Sequence, residues 1–289
     1  MIQIRVPATS ANLGPGFDAL GIAINRYNTF NVKEVEKANF VNENLVYRSY
    51  HKVFEILDKP IIEVEIQIDA DIPVSRGLGS SAACIVGGVM GANEMLGGPL
   101  SREEILEIST LIETHPDNVA PAIYGGLVTS VMEGGKVYSC QMEIRNKLEF
   151  ITLVPDFKLS TRLAREVLPE TISYNDGVYN VGRVGLLLAA LTSGRDDLLK
   201  HAFKDKLHQP YRGNLIQGFD EIMDFASNIG ALGCYLSGAG PTIMCVLNSE
   251  NSEFEENIKI YMGKNYPSWM VYSHSVDKLG ATAGQIRNR

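Results

Sequence analysis

The chain opens on a strict alternation. Ile2, Ile4 and Val6 are apolar while Gln3 and Arg5 are polar, which predicts a strand. Residues 7–18 crowd Pro7, Gly14, Pro15 and Gly16 among small polar side chains, and no regular element is expected there. Apolar alternation resumes over 20–35 and again over 61–68, where Val64-Glu65-Ile66-Gln67-Ile68 is the clearest stretch. Between these strands Leu45, Tyr50, Val53, Phe54 and Leu57 recur at helical spacing and predict a helix over 44–57. Residues 80–96 are rich in Ala, Gly, Val and Met, the pattern of a closely packed, buried helix. Ser101-Arg102-Glu103-Glu104 starts the next one, with a serine cap and acids in the first turn. The run 115–122 interrupts that helix. Gly125-Gly126 leads into a strand over 127–132, and Gly134-Gly135 marks a hairpin to 137–142.

The pattern restarts near residue 148. Strands are expected over 150–154, 232–236, 242–247 and 269–273, and helices over 160–168, 179–191, 215–229 and 253–261. There is no fixed-period repeat and no low-complexity linker. Strands and helices mix without regular βαβ alternation, which favours an α+β fold. The length suits two domains, expected at 1–148 and 149–289.

Composition narrows the classes. Apolar residues make up 45% and charged residues 21%, enough to build a core and too apolar for disorder. A net charge of −8 argues against a general nucleic-acid binder. The first residues lack a signal-peptide apolar region, and no apolar run is long enough to span a bilayer. Cys84, Cys140, Cys234 and Cys245 form no C-x-x-C pair, so they read as reduced, buried thiols of a cytoplasmic protein without membrane association.

The densest chemistry lies in Pro73-Val74-Ser75-Arg76-Gly77-Leu78-Gly79-Ser80-Ser81-Ala82-Ala83. It is a glycine-rich turn between an expected strand and an expected helix. Free N–H groups and the helix dipole suit an anion there, so a nucleotide phosphate is the expected ligand. The two serines could cap the helix or reach a metal ion and phosphate oxygens. No Gly-Lys-Ser/Thr occurs in the chain, which removes the Walker A reading. Gly77-Leu78-Gly79-Ser80-Ser81-Ala82 matches the dinucleotide pattern, but the expected helix is followed by another helix rather than by a strand ending in an acid. Three more stretches join it: the 7–18 loop with Asn12 and Asp18, His115-Pro116-Asp117-Asn118, and Ser237-Gly238-Ala239-Gly240-Pro241-Thr242.

Taken in order, these motifs resemble the GHMP kinase superfamily over nearly the whole chain. Residues 11–18, 115–121, 160–169 and 207–218 are similar, within it, to the homoserine kinase family. The resemblance implies an N-terminal ribosomal-S5-like nucleotide domain and a C-terminal ferredoxin-like domain. It implies transfer of the ATP γ-phosphoryl group to the side-chain hydroxyl of L-homoserine, on the way to threonine, in a homodimer. The alternative is a GHMP kinase for mevalonate or a sugar, whose substrate would give Asp18 no ammonium partner. A regulator that binds without turning over is the other class to set against it; Glu113, both serines and both arginines are present, which disfavours it.

The same resemblance implies the site. Asn12 and Asp18 lie near the substrate, with Asp18 facing the ammonium. Arg165 and Arg212 take the carboxylate, because guanidinium matches it with parallel hydrogen bonds. His115 and Asn118 face the hydroxyl end. Residues 73–83 hold ATP, and Ser81, favoured over Ser80, joins Glu113 as the Mg²⁺ ligands. Asp117 corresponds to the base of mevalonate-type relatives, whereas Asn118 is the expected orienter of the hydroxyl; whether a base is needed is left open by the sequence. Lys278 and Leu279 replace the Thr and Glu common in relatives, which predicts a weakened tail contact.

Overall fold

The computed structural model describes residues 1–37, 44–249, 251 and 253–286. The first half runs β1 (Ile2–Ala11), β2 (Leu20–Glu34), α1 (Leu45–Ile56), β3 (Val64–Ala70), α2 (Ser80–Met95), α3 (Arg102–Glu113), α4 (Pro116–Tyr124), β4 (Leu127–Glu133) and β5 (Lys136–Met142). The second half runs β6 (Leu148–Val154), α5 (Thr161–Glu166), α6 (Tyr174–Ser193), α7 (Asp196–Ala202), α8 (Gln209–Arg212), α9 (Phe219–Asn228), β7 (Gly233–Leu236), β8 (Ile243–Asn248), α10 (Phe254–Asn265), β9 (Met270–His274) and β10 (Thr282–Gln285). The α+β expectation holds.

The first sheet follows the order β10-β1-β2-β4-β5, and β3 joins on β2. Every pairing in it is antiparallel. Its final strand closes the chain back onto its beginning, with Ile2 opposite Gln285 and Arg5 opposite Thr282. The second sheet is also antiparallel, in the order β7-β8-β6-β9. Alternation along β8 divides two cores. Met244 and Val246 point into the core shared with the first sheet and its helices, while Ile243, Cys245 and Leu247 point into a second core under α9 and α10. A strand buried on both faces reads as a continuous apolar run, which is the pattern of residues 243–247.

Two expectations about the elements are corrected. β1 continues through Pro7 to Ala11 because a register shift between Pro7 and Ala8 absorbs the proline. Residues 116–124 are a helix and not an interruption; Pro116 stands in the first turn, where its missing N–H costs nothing. Cys140 also departs from expectation, as its thiol is exposed on β5, while Cys234 and Cys245 are buried; all four thiols are free.

The segment carrying Lys278 and Leu279 is anchored through Asp277. Asp277 N–H donates to Ala23 O at 3.0 Å, and the Asp277 carboxylate accepts from Tyr27 Oη, Leu279 N and Gly280 N. Among the described residues no helix is long and apolar enough to cross a membrane.

Candidate active site

A cleft of about 640 Å³ lies where the glycine turn, the start of α4, α5, and the loop between β7 and β8 converge. The turn forms one wall. Val74, Ser75, Arg76, Gly77, Gly79, Ser80 and Ser81 line the cleft, whereas Pro73, Leu78, Ala82 and Ala83 do not. Leu78, Ala82 and Ala83 are buried in the core and anchor the turn from behind. Gly79 is the N-cap of α2 at φ +70°, with no side-chain cap. The serine hydroxyls are therefore not used as caps, and no side chain caps the first N–H groups of α2, the kind of group that suits an anion. Ser237 Oγ donates to Gly77 O, Ser10 pairs with Ser237 at 2.7 Å, and Gly238 N–H donates to Ala11 O at 3.1 Å. The third glycine loop thus braces the turn from the second half of the chain. Arg76 reinforces the brace by donating to Pro155 O at 2.8 Å and to Asp156 O.

Ser81 Oγ donates to Glu113 Oε2 at 2.8 Å across the mouth of the turn. Burial pushes the Glu113 carboxyl up, against the hydrogen bond from Ser81 that pulls it down. Among the described residues no cluster of three or more His, Cys, Asp or Glu could hold a metal. One carboxylate and one hydroxyl at the phosphate turn still fit Mg²⁺, an oxygen-seeking ion that keeps waters and takes phosphate oxygens to fill its shell. Ser80 lines the cleft without a side-chain partner among the described residues.

The opposite wall is charged. Arg165 on α5 forks onto Asp18, Nη1 to Oδ2 at 3.1 Å and Nη2 to Oδ1 at 2.9 Å. Asn12 holds the Asp18 loop, accepting from Asp18 N–H at 3.0 Å and donating to Gly238 O at 2.8 Å. Arg212 is only 2% exposed. Its Nε donates to Ala164 O at 2.8 Å and its Nη1 to Gly238 O at 3.1 Å, while Nη2 has no partner among the described residues. Burial first, and the nearby Arg165 second, lower its pKa to about 10, so it stays cationic at neutral pH. Its guanidinium lies 4.9 Å from the Phe17 ring centre, and His208 stacks on Phe17 at 5.1 Å.

His115 and Asn118 complete the cleft. His115 Nε2 is 3.8 Å from Asp18 Oδ2, and its Nδ1 pairs with Thr114 Oγ1 at 2.8 Å. Burial and Arg165 hold its imidazole below the usual value, against Asp18. Asn118 Nδ2 points to Asp117 Oδ1 at 3.4 Å. Asp117 is 7% exposed, and burial, helped by the charge on Asp18, pushes its carboxyl up to about 7.

All of Asn12, Asp18, Ser81, Glu113, His115, Asp117, Asn118, Arg165 and Arg212 line this one cleft. Sequence reasoning missed their supports. Asp205 accepts from the N–H groups of Leu207, His208 and Gln209 and from Asn180 Nδ2, and Asn180 also donates to Pro15 O. Buried His208 closes the set on Gly14 O at 2.8 Å. Nothing in the local sequence Lys204-Asp205-Lys206-Leu207-His208-Gln209 sets this brace apart from an ordinary polar turn.

A glycine turn at a helix start facing a paired acid and two guanidinium groups across one cleft suits a small-molecule kinase. The family description "GHMP kinases N terminal domain" matches residues 44–126, and "GHMP kinases C terminal" matches residues 186–263. The chain is 47% identical to a homoserine kinase of Clostridium beijerinckii, over 98% of each chain, and 45% identical to one of Clostridium botulinum, over 99% of this chain and 100% of that one. Its fold matches the crystal structure of homoserine kinase from Cytophaga hutchinsonii with a TM-score of 0.86 at 29% identity, covering 98% and 96% of the two chains. The L. major mevalonate kinase, solved with R-mevalonate, shares the fold at a TM-score of 0.73 and 15% identity, over 94% and 95%. The chain belongs to the homoserine kinase family of the GHMP kinases.

Proposed function

We propose that the protein transfers the γ-phosphoryl group of ATP to the side-chain hydroxyl of L-homoserine, giving O-phospho-L-homoserine. The observation that carries this reading is the opposition, across one cleft, of an anion-binding turn and the Asp18–Arg165–Arg212 set. A zwitterionic amino acid brings adjacent opposite charges, and this wall offers their complement. Asp18 would receive the ammonium, and Arg165 and the free Nη2 of Arg212 the carboxylate. Asn12 holds Asp18 in place, and His115 and Asn118 stand toward the hydroxyl end. The domain division at 148/149, a homodimer and a cytoplasmic site of action belong to the same reading.

The transfer forms a bond from the hydroxyl oxygen to the γ-phosphorus and breaks the bond to the ADP oxygen. The protein's share is alignment and charge. N–H groups of the Gly77–Ala82 turn receive phosphate oxygens, and Ser81 and Glu113 would hold Mg²⁺, which supplies neutralisation of the phosphate charge when bound. In this reading the hydroxyl proton passes to a phosphoryl oxygen, because Asn118 is no base and the Asp117 carboxyl is turned toward Asn118 Nδ2.

The test is ATP consumption with L-homoserine beside mevalonate, galactose and other alcohols. Turnover with L-homoserine alone is expected, and equal turnover with mevalonate would sink the substrate assignment.

Asp117 offers a second check. The folded protein keeps its proton up to about pH 7, whereas the unfolded chain releases it near the usual 3.8. Between these values the native state binds more protons, so this group's contribution to stability falls as pH rises through that window. Asp117→Asn is expected to stabilise the protein at pH 8, by up to about 4 kcal/mol, and progressively less toward pH 4. Thermal melts across pH read this directly. The variant is also expected to stay active; a loss of about 10²-fold or more in kcat would restore Asp117 as a base.

A further inference from the structure

Thr9 sits near the end of β1, fully buried, and its N–H and its hydroxyl are both spent on the site. Its backbone N–H donates to Leu78 O at 3.2 Å, inside the glycine turn. Its hydroxyl donates to Asn118 Oδ1 at 2.8 Å, although the two residues are 109 positions apart. The turn is built around that hydroxyl. A Cβ placed on Gly79 would stand 1.9 Å from Thr9 Oγ1. One residue therefore joins the phosphate cradle to the asparagine at the acceptor end.

In the structure the Asn118 amide turns its oxygen toward Thr9. With Oδ1 accepting from Thr9, the Nδ2 group is left with one proton toward Asp117 Oδ1 at 3.4 Å and one for the cleft. Above about pH 7, where Asp117 is ionised, the reverse orientation would set the amide oxygen against a carboxylate oxygen. Asn118 accordingly presents a donor to its substrate.

We infer that Thr9 is a positioning residue for phosphoryl transfer: it holds Asn118 with its NH₂ group aimed at the oxygen of the acceptor hydroxyl, in register with the phosphate turn. This rests on the kinase reading above. A donor on one lone pair of that oxygen leaves the other lone pair for the γ-phosphorus. The O–H bond is then free to point at a phosphoryl oxygen, which takes the proton as the new O–P bond forms and the bond to ADP breaks.

Thr9→Val keeps the side-chain shape and removes the hydroxyl, and Thr9→Ser keeps the hydroxyl and removes a methyl. Thr9→Val is expected to lower kcat by about 10²-fold, because a small misplacement at a reacting centre costs that much. The KM values for ATP and for L-homoserine should stay near those of the wild type, and Thr9→Ser should recover most of kcat. In an Asn118→Ala background Thr9→Val should cost nothing further, since both act through one amide. If the valine variant does not fold, Thr9→Ala carries the same comparison. A wild-type kcat in the valine variant, no recovery by serine, or losses that multiply in the double variant would each overturn the assignment. Should the wild type prefer another alcohol, the substrate reading fails and the Thr9 series is run on that alcohol; a wild type inactive with every alcohol sinks both.

Discussion

Replacing Arg212 with alanine is expected to raise the KM for L-homoserine by about 10²–10³-fold, the worth of two charge-assisted hydrogen bonds to a carboxylate. The KM for ATP should change little, because Arg212 bonds Ala164 O and Gly238 O and no residue of the 73–83 turn. The size of the effect follows from its setting. The guanidinium is buried, its orientation is set by Ala164 O and Gly238 O, and Phe17 lies against it. A fork held this firmly loses little freedom when a carboxylate arrives. Arg212→Lys should therefore fail nearly as badly, because an ammonium keeps the charge but cannot satisfy two carbonyls and still present a planar edge. Steady-state kinetics with each substrate varied in turn, beside a thermal melt to show the fold is kept, makes the check. An unchanged KM for L-homoserine in a folded Arg212→Ala would remove the carboxylate assignment.

The elements that were legible in the sequence are those whose own periodicity is enforced by one buried face. The helix at 45–56 and the strand at 64–70 follow their apolar spacing closely, while the strand at 243–248, buried on both faces, is legible instead as a continuous apolar run. Those misread are set by partners or by backbone detail. β10 is Thr282–Gln285, exposed throughout, and is a strand because the edge of β1 receives it. In α4, Pro121 looks like a helix breaker. Its missing N–H leaves Asp117 O outside the helical ladder, and Gly21 of β2 comes so close to that oxygen that a Cβ there would be 1.8 Å away. The helix tolerates its proline because its neighbour has no side chain.

The site divides in the same way. The glycine turn announces an anion through local composition alone. Asp18 and Arg165 are 147 positions apart, and nothing local to either one pairs them. Their roles came from resemblance to a family, and the cleft brings them to the same wall. Asp205, Asn180 and His208, which hold the 14–18 loop from behind, carry no pattern that separates them from an ordinary turn.

Gly77→Ala is expected to weaken ATP binding by about two orders of magnitude, the loss of one or two backbone hydrogen bonds to phosphate. Gly77 has φ +77°, and a Cβ there would meet Ser237 O at 2.3 Å and Gly240 O at 2.9 Å. Both contacts are backbone, so no side chain can swing away. The turn would have to leave the loop that braces it, and the hydrogen bond from Ser237 Oγ to Gly77 O would go with it. Gly98 supplies the control, since it also has φ +77° but nothing lies within 4 Å of its Cβ position. Gly98→Ala carries the left-handed strain alone, about 1–2 kcal/mol of stability. Calorimetric titration with Mg-ATP separates the two effects. Equal affinities in the two variants would mean that backbone strain, and not the fit of Gly77 against residues 237–240, governs the phosphate turn.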